Sequence, residues 1–348
     1  MEIKIIQALR AIAAIGVISF HINYIMINRL SYSNQNEGIG MVGVDLFFVI
    51  SGFIMVYTCY KQFKKPKSSV IFLMKRLVRI IPIYWIYNSL LVILLFFIPS
   101  LFSNLKFNLN SVISSYFLIL SEIFPKVNGT LLMTGWTLCY EMYFYLLFAI
   151  ALFFHRKYLL LILSCFFISG VILGLFYTTP IWMKVATNPI LFEFLIGAAI
   201  ATLLLEKKHL LLKKIFALIL FIASLAVLFI HDLNFGDFTR PLIFGLPCGL
   251  FLVLAIYLEK IGLNTPKILK SMGDSSYTLY LIHPFILSAI GKFFVLFALT
   301  QYIPSKIFFF LTLISILMGG HIAYLLIEKP LNKYASNLLR KKISTIKA

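Results

Sequence analysis

Ten apolar runs, each long enough or nearly long enough to cross a bilayer, leave this chain little else from which to build a fold. They cover about 8–27, 41–60, 80–98, 135–154, 158–177, 188–205, 212–230, 241–258, 275–298 and 306–327. A hydrocarbon core about 30 Å thick is crossed by about 20 helical residues. Composition agrees with that reading. Charged residues make up 12% of the 348 and hydrophobic ones 61%, whereas a soluble domain carries about 25% charged residues. A soluble globule, a disordered chain, a coiled coil and a secreted disulfide scaffold are all excluded. The expected class is all-α: a polytopic membrane helical bundle of about ten transmembrane helices. Cys59, Cys139, Cys165 and Cys248 sit in apolar runs with no CxxC pair and read as small packing residues.

Basic residues orient the bundle. With the N-terminus in the cytoplasm, 24 Lys and Arg fall in inner segments and 6 in outer ones. The positive-inside bias therefore predicts both termini cytoplasmic. The net charge of +19 is then mostly topological, met in part by anionic lipid head groups, and implies no nucleic acid. A serine-rich run at 111–123 is too short to span and is expected to be interfacial or re-entrant. The first run has no small-residue cleavage signal and reads as a retained helix. The expected organisation is one transmembrane domain over 1–328 and a basic cytoplasmic tail, a surface helix, over 329–348.

Ionisable groups inside spans cost about 2.5–3.5 kcal/mol each and are functional candidates by default. They are Arg10, His21, Asp45, Glu141, Glu193, His283, Lys292 and His321. Arg10 and His21 are almost three whole turns apart, on one helix face and roughly 16 Å apart along the axis. They fit the wall of a path with a cation at its cytoplasmic mouth. They fit equally an arginine anchor and a packing histidine. By residue count, His21, Asp45 and Glu141 lie roughly 6–9 Å below the outer surface. An imidazole near a carboxylate is a general-base arrangement, with the acid orienting the ring. The plain alternative is that each acid pairs with a neighbouring helix. Glu193 and His321 read as structural pairs.

Arg76 and Arg79 share a face at i, i+3 at a cytoplasmic helix start, where two guanidinium forks suit phosphate. A positive-inside anchor has the same look. Ser276, Tyr280 and His283 follow the i, i+4, i+7 pattern of one face, just before Pro284. They fit an inner donor channel or a structural hydrogen-bonded cluster. No metal-ligand cluster and no serine in a GxSxG context occurs.

These pieces together resemble the acyltransferase-3 family of integral membrane acyltransferases. The resemblance runs along nearly the whole chain: RAIAAIGVISFH at 10–21, GVDLFFVISGF at 43–53, RLVRIIPIYW at 76–85, WTLCYEMYFY at 136–145, GDSSYTLYLIHP at 273–284 and EKP at 328–330. It implies transfer of an acyl group, commonly acetyl, from cytoplasmic acyl-CoA to a hydroxyl of a cell-surface or exported glycan. The setting it implies is a bacterial plasma (inner) membrane. Acyl-CoA would be a donor substrate, with no tightly bound cofactor and no metal. The partners are a glycan or lipid-linked sugar acceptor and membrane lipids. Family arginines matching Arg10, Arg76 and Arg79 are implicated in activity, as is the histidine matching His21. Ser51, Gly52 and Phe53 match the family's SGF, and Trp136 opens another shared motif. Many members carry an extracytoplasmic hydrolase-like domain, and this sequence resembles those without it.

On that reading Arg76 and Arg79 hold CoA phosphates, with Arg10 beside the pantetheine arm. His21 takes the acceptor's proton or carries the acyl group, oriented by Asp45 or Glu141. The competing class is a transporter or flippase for a lipid-linked sugar, which ten spans with buried charges fit equally well. Its weakness is the arginine pair, which a transporter has no stated use for.

Overall fold

A computed structural model describes residues 3–32, 40–99, 105, 107–124, 127–206 and 238–347. Among these, nine of the ten expected runs are helical, and the run at 212–230 lies outside the described residues. The helices are α1 (Ile5–Asn28), α2 (Gly43–Cys59), α3 (Ser68–Phe97), α4 (Leu109–Tyr116), α5 (Gly135–Ala151), α6 (Leu159–Phe176), α7 (Lys184–Thr187) and α8 (Leu191–Leu205). They continue as α9 (Leu246–Lys260), α10 (Lys267–Asp274), α11 (Ser276–Leu296), α12 (Ser305–Ala323) and α13 (Lys329–Lys347). Seven helical segments of the described residues are long and apolar enough to cross a membrane. The helices α2 and α5, each 17 residues, are shorter. The protein is a polytopic helical membrane bundle.

The chain divides into two compact units, residues 1–50 with 203–324 and residues 51–202 with 325–348. In the first, α1 packs along α10, α11 and α12. Its apolar face supplies Ile18, Ile22, Ile25 and Met26, which join Leu279, Leu287, Phe294, Phe308 and Ile316 in one buried cluster. The first turn of α1 has no cap from its own Lys4 side chain. Instead the Glu259 carboxylate, at the end of α9, accepts the backbone N–H groups of Lys4 at 2.9 Å and Ile5 at 3.1 Å. A carboxylate there satisfies orphan donors and complements the helix dipole.

In the second unit, the serine-rich run forms α4, eight residues and about 12 Å long, well short of a bilayer. A small antiparallel hairpin follows, β1 (Ser121–Phe124) against β2 (Val127–Gly129). Hydrogen bonds from α3 fasten α4: the Tyr84 hydroxyl donates to the Ser115 carbonyl, Ser115 Oγ donates to Asn88 Oδ1, and Trp85 Nε1 donates to the Tyr116 carbonyl. The expected tail forms α13, which packs on α3. A π-helical segment, Tyr324–Glu328, precedes it.

Glycine sets the closest approach in this unit. A Cβ on Gly52 would overlap the backbone carbonyl of Phe194, so α2 crosses α8 at backbone contact there. Gly52→Ala therefore forces the two helices apart. Overpacking of this kind costs about 1–3 kcal/mol. The expected result is a lower thermal midpoint in detergent, read by loss of the monodisperse peak in size-exclusion chromatography. A midpoint equal to the parent's would mean that the crossing is looser than described.

Candidate active site

Two groups of polar side chains stand out in the first unit, one around His21 and one around Asp45. On α1, the clustered isoleucines flank His21 and turn it toward α11. There Leu279 and Leu287, one turn either side of His283, belong to the same buried cluster. The two imidazoles meet with centroids 4.9 Å apart, and His283 Nε2 lies 3.3 Å from His21 Nδ1. His21 Nδ1 also lies 2.9 Å from the Val17 carbonyl, one turn back. A carbonyl can only accept, so Nδ1 carries the proton and donates to it. Two acceptors, the Val17 oxygen and the His283 ring nitrogen, thus face Nδ1–H. In the neutral ring this leaves Nε2 unprotonated, with a lone pair for a proton or an electrophile. His283 is fully buried whereas His21 is partly exposed.

Ser276 and Tyr280, predicted on one face with His283, are both buried. The Tyr280 ring faces His283 at 5.9 Å and Phe47 at 6.1 Å. Arg10 is half-buried and donates from Nη1 to Gln7 Oε1 at 3.2 Å. His321 pairs with Ser275 Oγ at 3.4 Å.

Asp45, in the first turn of α2, is fully buried. Its two oxygens accept from Arg240, Oδ1 from Nε at 2.8 Å and Oδ2 from Nη2 at 3.1 Å. This is the two-pronged geometry that suits guanidinium and carboxylate. His21 is not among Asp45's partners in the described residues. Sequence reasoning left Arg240 as one of six outer loop cations. The available signal was that a buried aspartate needs a cation at its own depth.

The second unit assembles three of the sequence motifs. Glu141 on α5 accepts from Ser51 Oγ at 2.9 Å and from the Tyr145 hydroxyl one turn on. Phe53 is fully buried and stacks on Tyr57. Trp136 is half-buried and meets the Tyr140 ring edge-on at 5.8 Å. Arg76 on α3 sets its guanidinium carbon 5.6 Å from the Phe72 centroid and 5.8 Å from that of Tyr145. Arg79, three residues on, is exposed. Arg76 is thus held among rings, whereas Arg79 is free of that packing and faces outward. Tyr145 and Phe72 were missed, although i+4 from Glu141 and i−4 from Arg76 mark them as neighbours on their helices. Glu193 is buried in the first turn of α8, where the helix dipole favours a carboxylate.

Among the described residues no cluster of His, Cys, Asp and Glu suits a metal ion. The sequence pattern of a family described as "Acyltransferase domain" matches residues 3–324. The exopolysaccharide production protein ExoZ of Rhizobium meliloti is 32% identical over 84% of this chain and 90% of its own length. The O-acetyltransferase OatA of Staphylococcus aureus is 28% identical over 94% of this chain, which spans 57% of that protein. The peptidoglycan O-acetyltransferase OatA of Listeria monocytogenes is 28% identical over 53% of this chain and 29% of its own length. No solved structure matches the chain.

Proposed function

The chain belongs to the acyltransferase-3 family, and from that premise we propose that it moves an acetyl group from acetyl-CoA to a hydroxyl of a cell-envelope polysaccharide. The observation that carries this reading is the His21 ring. Its Nδ1–H is committed to the Val17 carbonyl, so Nε2 is the basic nitrogen of a partly exposed imidazole. A membrane-buried histidine held in one tautomer is suited to proton transfer. The glycan acceptor is favoured by relatives whose names concern an exopolysaccharide and peptidoglycan.

In the proposed reaction Nε2 takes the proton of the acceptor hydroxyl as its oxygen attacks the thioester carbon. The C–O bond forms, the C–S bond breaks, and the imidazolium returns its proton to the departing CoA thiolate. An acyl-histidine route reaches the same products in two steps, with Nε2 as the attacking atom. Val17 and His283 both face Nδ1–H, and both bonds strengthen as the ring becomes cationic. Arg76, Arg79 and Arg10 are assigned to the phosphates and pantetheine arm of the donor. Asp45 and Glu141 act through the partners they hold. The cytoplasmic origin of the donor rests on the basic-residue bias, as does placement in the inner membrane.

The test is acetyl transfer in isolated membranes supplied with acetyl-CoA labelled in the acetyl group. Label is expected in the polysaccharide fraction, released by mild base as acetate, and absent from membranes lacking this protein. Label that requires the protein but stays in lipid or peptide would reject the glycan acceptor. No protein-dependent label from acetyl-CoA would reject the donor. A transporter would instead move unmodified sugar and incorporate no acetyl.

A further inference from the structure

Glu141 and Arg76 of the second unit both contact the Tyr145 side chain, yet among the described residues they form no ion pair with each other. Both acceptor bonds at Glu141 Oε1 come from hydroxyls, Ser51 Oγ at 2.9 Å and the Tyr145 hydroxyl. The Tyr145 ring is in turn 3% exposed and meets Phe72 edge-on, centroids 5.8 Å apart. The Arg76 guanidinium lies against these same two rings. An arginine bound directly to a carboxylate has its donor fork occupied. An arginine held by ring faces keeps its charge in place while its N–H groups remain able to bind an anion. Arg76 Nε is buried without a hydrogen-bond partner, a donor that the protein leaves unused.

We propose that Glu141 is a positioning residue for the donor site: with Ser51 it fixes the Tyr145 hydroxyl, and the Tyr145 and Phe72 rings hold Arg76 ready for a CoA phosphate. This rests on the assignment of Arg76 to the donor made above. It gives the SGF serine, the EMYFY acid and the RLVR arginine one shared task. It also separates Glu141 from proton transfer, because the atoms it acts through are the Tyr145 ring and the Arg76 fork.

The test separates KM for acetyl-CoA from kcat in membranes carrying each variant at equal abundance. Arg76→Ala is expected to raise that KM most. Glu141→Ala is expected to raise it about tenfold, the worth of one charge-assisted contact, with kcat within about twofold. Glu141→Gln, whose amide oxygen still accepts from both hydroxyls, should recover most of that loss. Tyr145→Phe keeps the ring and removes a single oxygen. It carries the test if Glu141→Ala fails to insert, and it should raise KM severalfold with the same unchanged kcat. In an Arg76→Ala background, neither Glu141→Ala nor Tyr145→Phe should raise KM further. A collapse of kcat in Glu141→Gln overturns the proposal and leaves the donor assignment standing. So does a Glu141 or Tyr145 effect that persists undiminished without Arg76. An unchanged KM in Arg76→Ala removes the donor assignment, and this inference with it.

Discussion

His21→Gln lowers acetyl transfer by about 10²–10⁴-fold while leaving the KM for acetyl-CoA close to the parent value. A positioned base contributes that much, roughly 3–5 kcal/mol of barrier. The substitution discriminates because of what it preserves. The glutamine amide can donate to the Val17 carbonyl as Nδ1–H does, so packing and hydrogen bonding survive while basicity is lost. His21→Ala opens space beside the buried isoleucines and adds a cavity cost to the chemical one. Transfer is measured as labelled acetate released from polysaccharide, at matched protein abundance. His21→Gln membranes that keep a third or more of parent activity would assign His21 to packing alone.

The second large effect is on folding. Arg240→Met leaves the fully buried Asp45 carboxylate without its two-pronged partner. Removing one member of a buried ion pair costs about 3–5 kcal/mol, because the remaining charge stays buried and uncompensated. The single variant is expected to be poorly inserted or to melt far below the parent in detergent. The double variant Asp45→Leu/Arg240→Met replaces both charges with apolar side chains of similar size. It is expected to regain most of the stability, since well-packed apolar pairs match buried ion pairs. Its activity decides what Asp45 does. Recovered transfer with recovered folding makes the pair a structural bolt between the start of α2 and the start of the α9 segment. A folded but inactive double variant would instead show that the carboxylate takes part in the chemistry.

The class of fold was legible because the bilayer imposes it. With no water to satisfy the backbone, an apolar run must be helical, and length alone separates a span from the short segment at 109–116. Helix-face relations were legible for the same reason. Ser276, Tyr280 and His283 are buried as their spacing requires. Pairings between helices were not. Asp45 and His21 have similar depth counts, yet Asp45 found Arg240, 195 residues away, and His21 found His283, 262 residues away. Depth along a helix fixes one coordinate, whereas which helix lies alongside depends on packing that a single sequence does not encode locally. The i, i+3 arginines show the limit from the other side. Three residues on a helix are 60° short of a full turn. That angle suffices to set Arg76 among rings and leave Arg79 exposed.

The remote cap on α1 bears on how the protein is made. The helix that carries Arg10 and His21 leaves the ribosome well ahead of the carboxylate that satisfies its opening N–H groups, which is 255 residues downstream at Glu259. At about 5–20 residues per second, roughly 10–50 s of synthesis separates the two. His283, the ring acceptor beside His21, emerges later still. During that interval the helix bearing His21 waits in the membrane with its start unsealed and its partner unmade. A nascent chain stopped before Glu259 should accordingly expose its N-terminal turn to protease, and one stopped after α11 should protect it. The His21–His283 contact is withheld until α11 has been made, because two rings 262 residues apart in the chain must meet to form it.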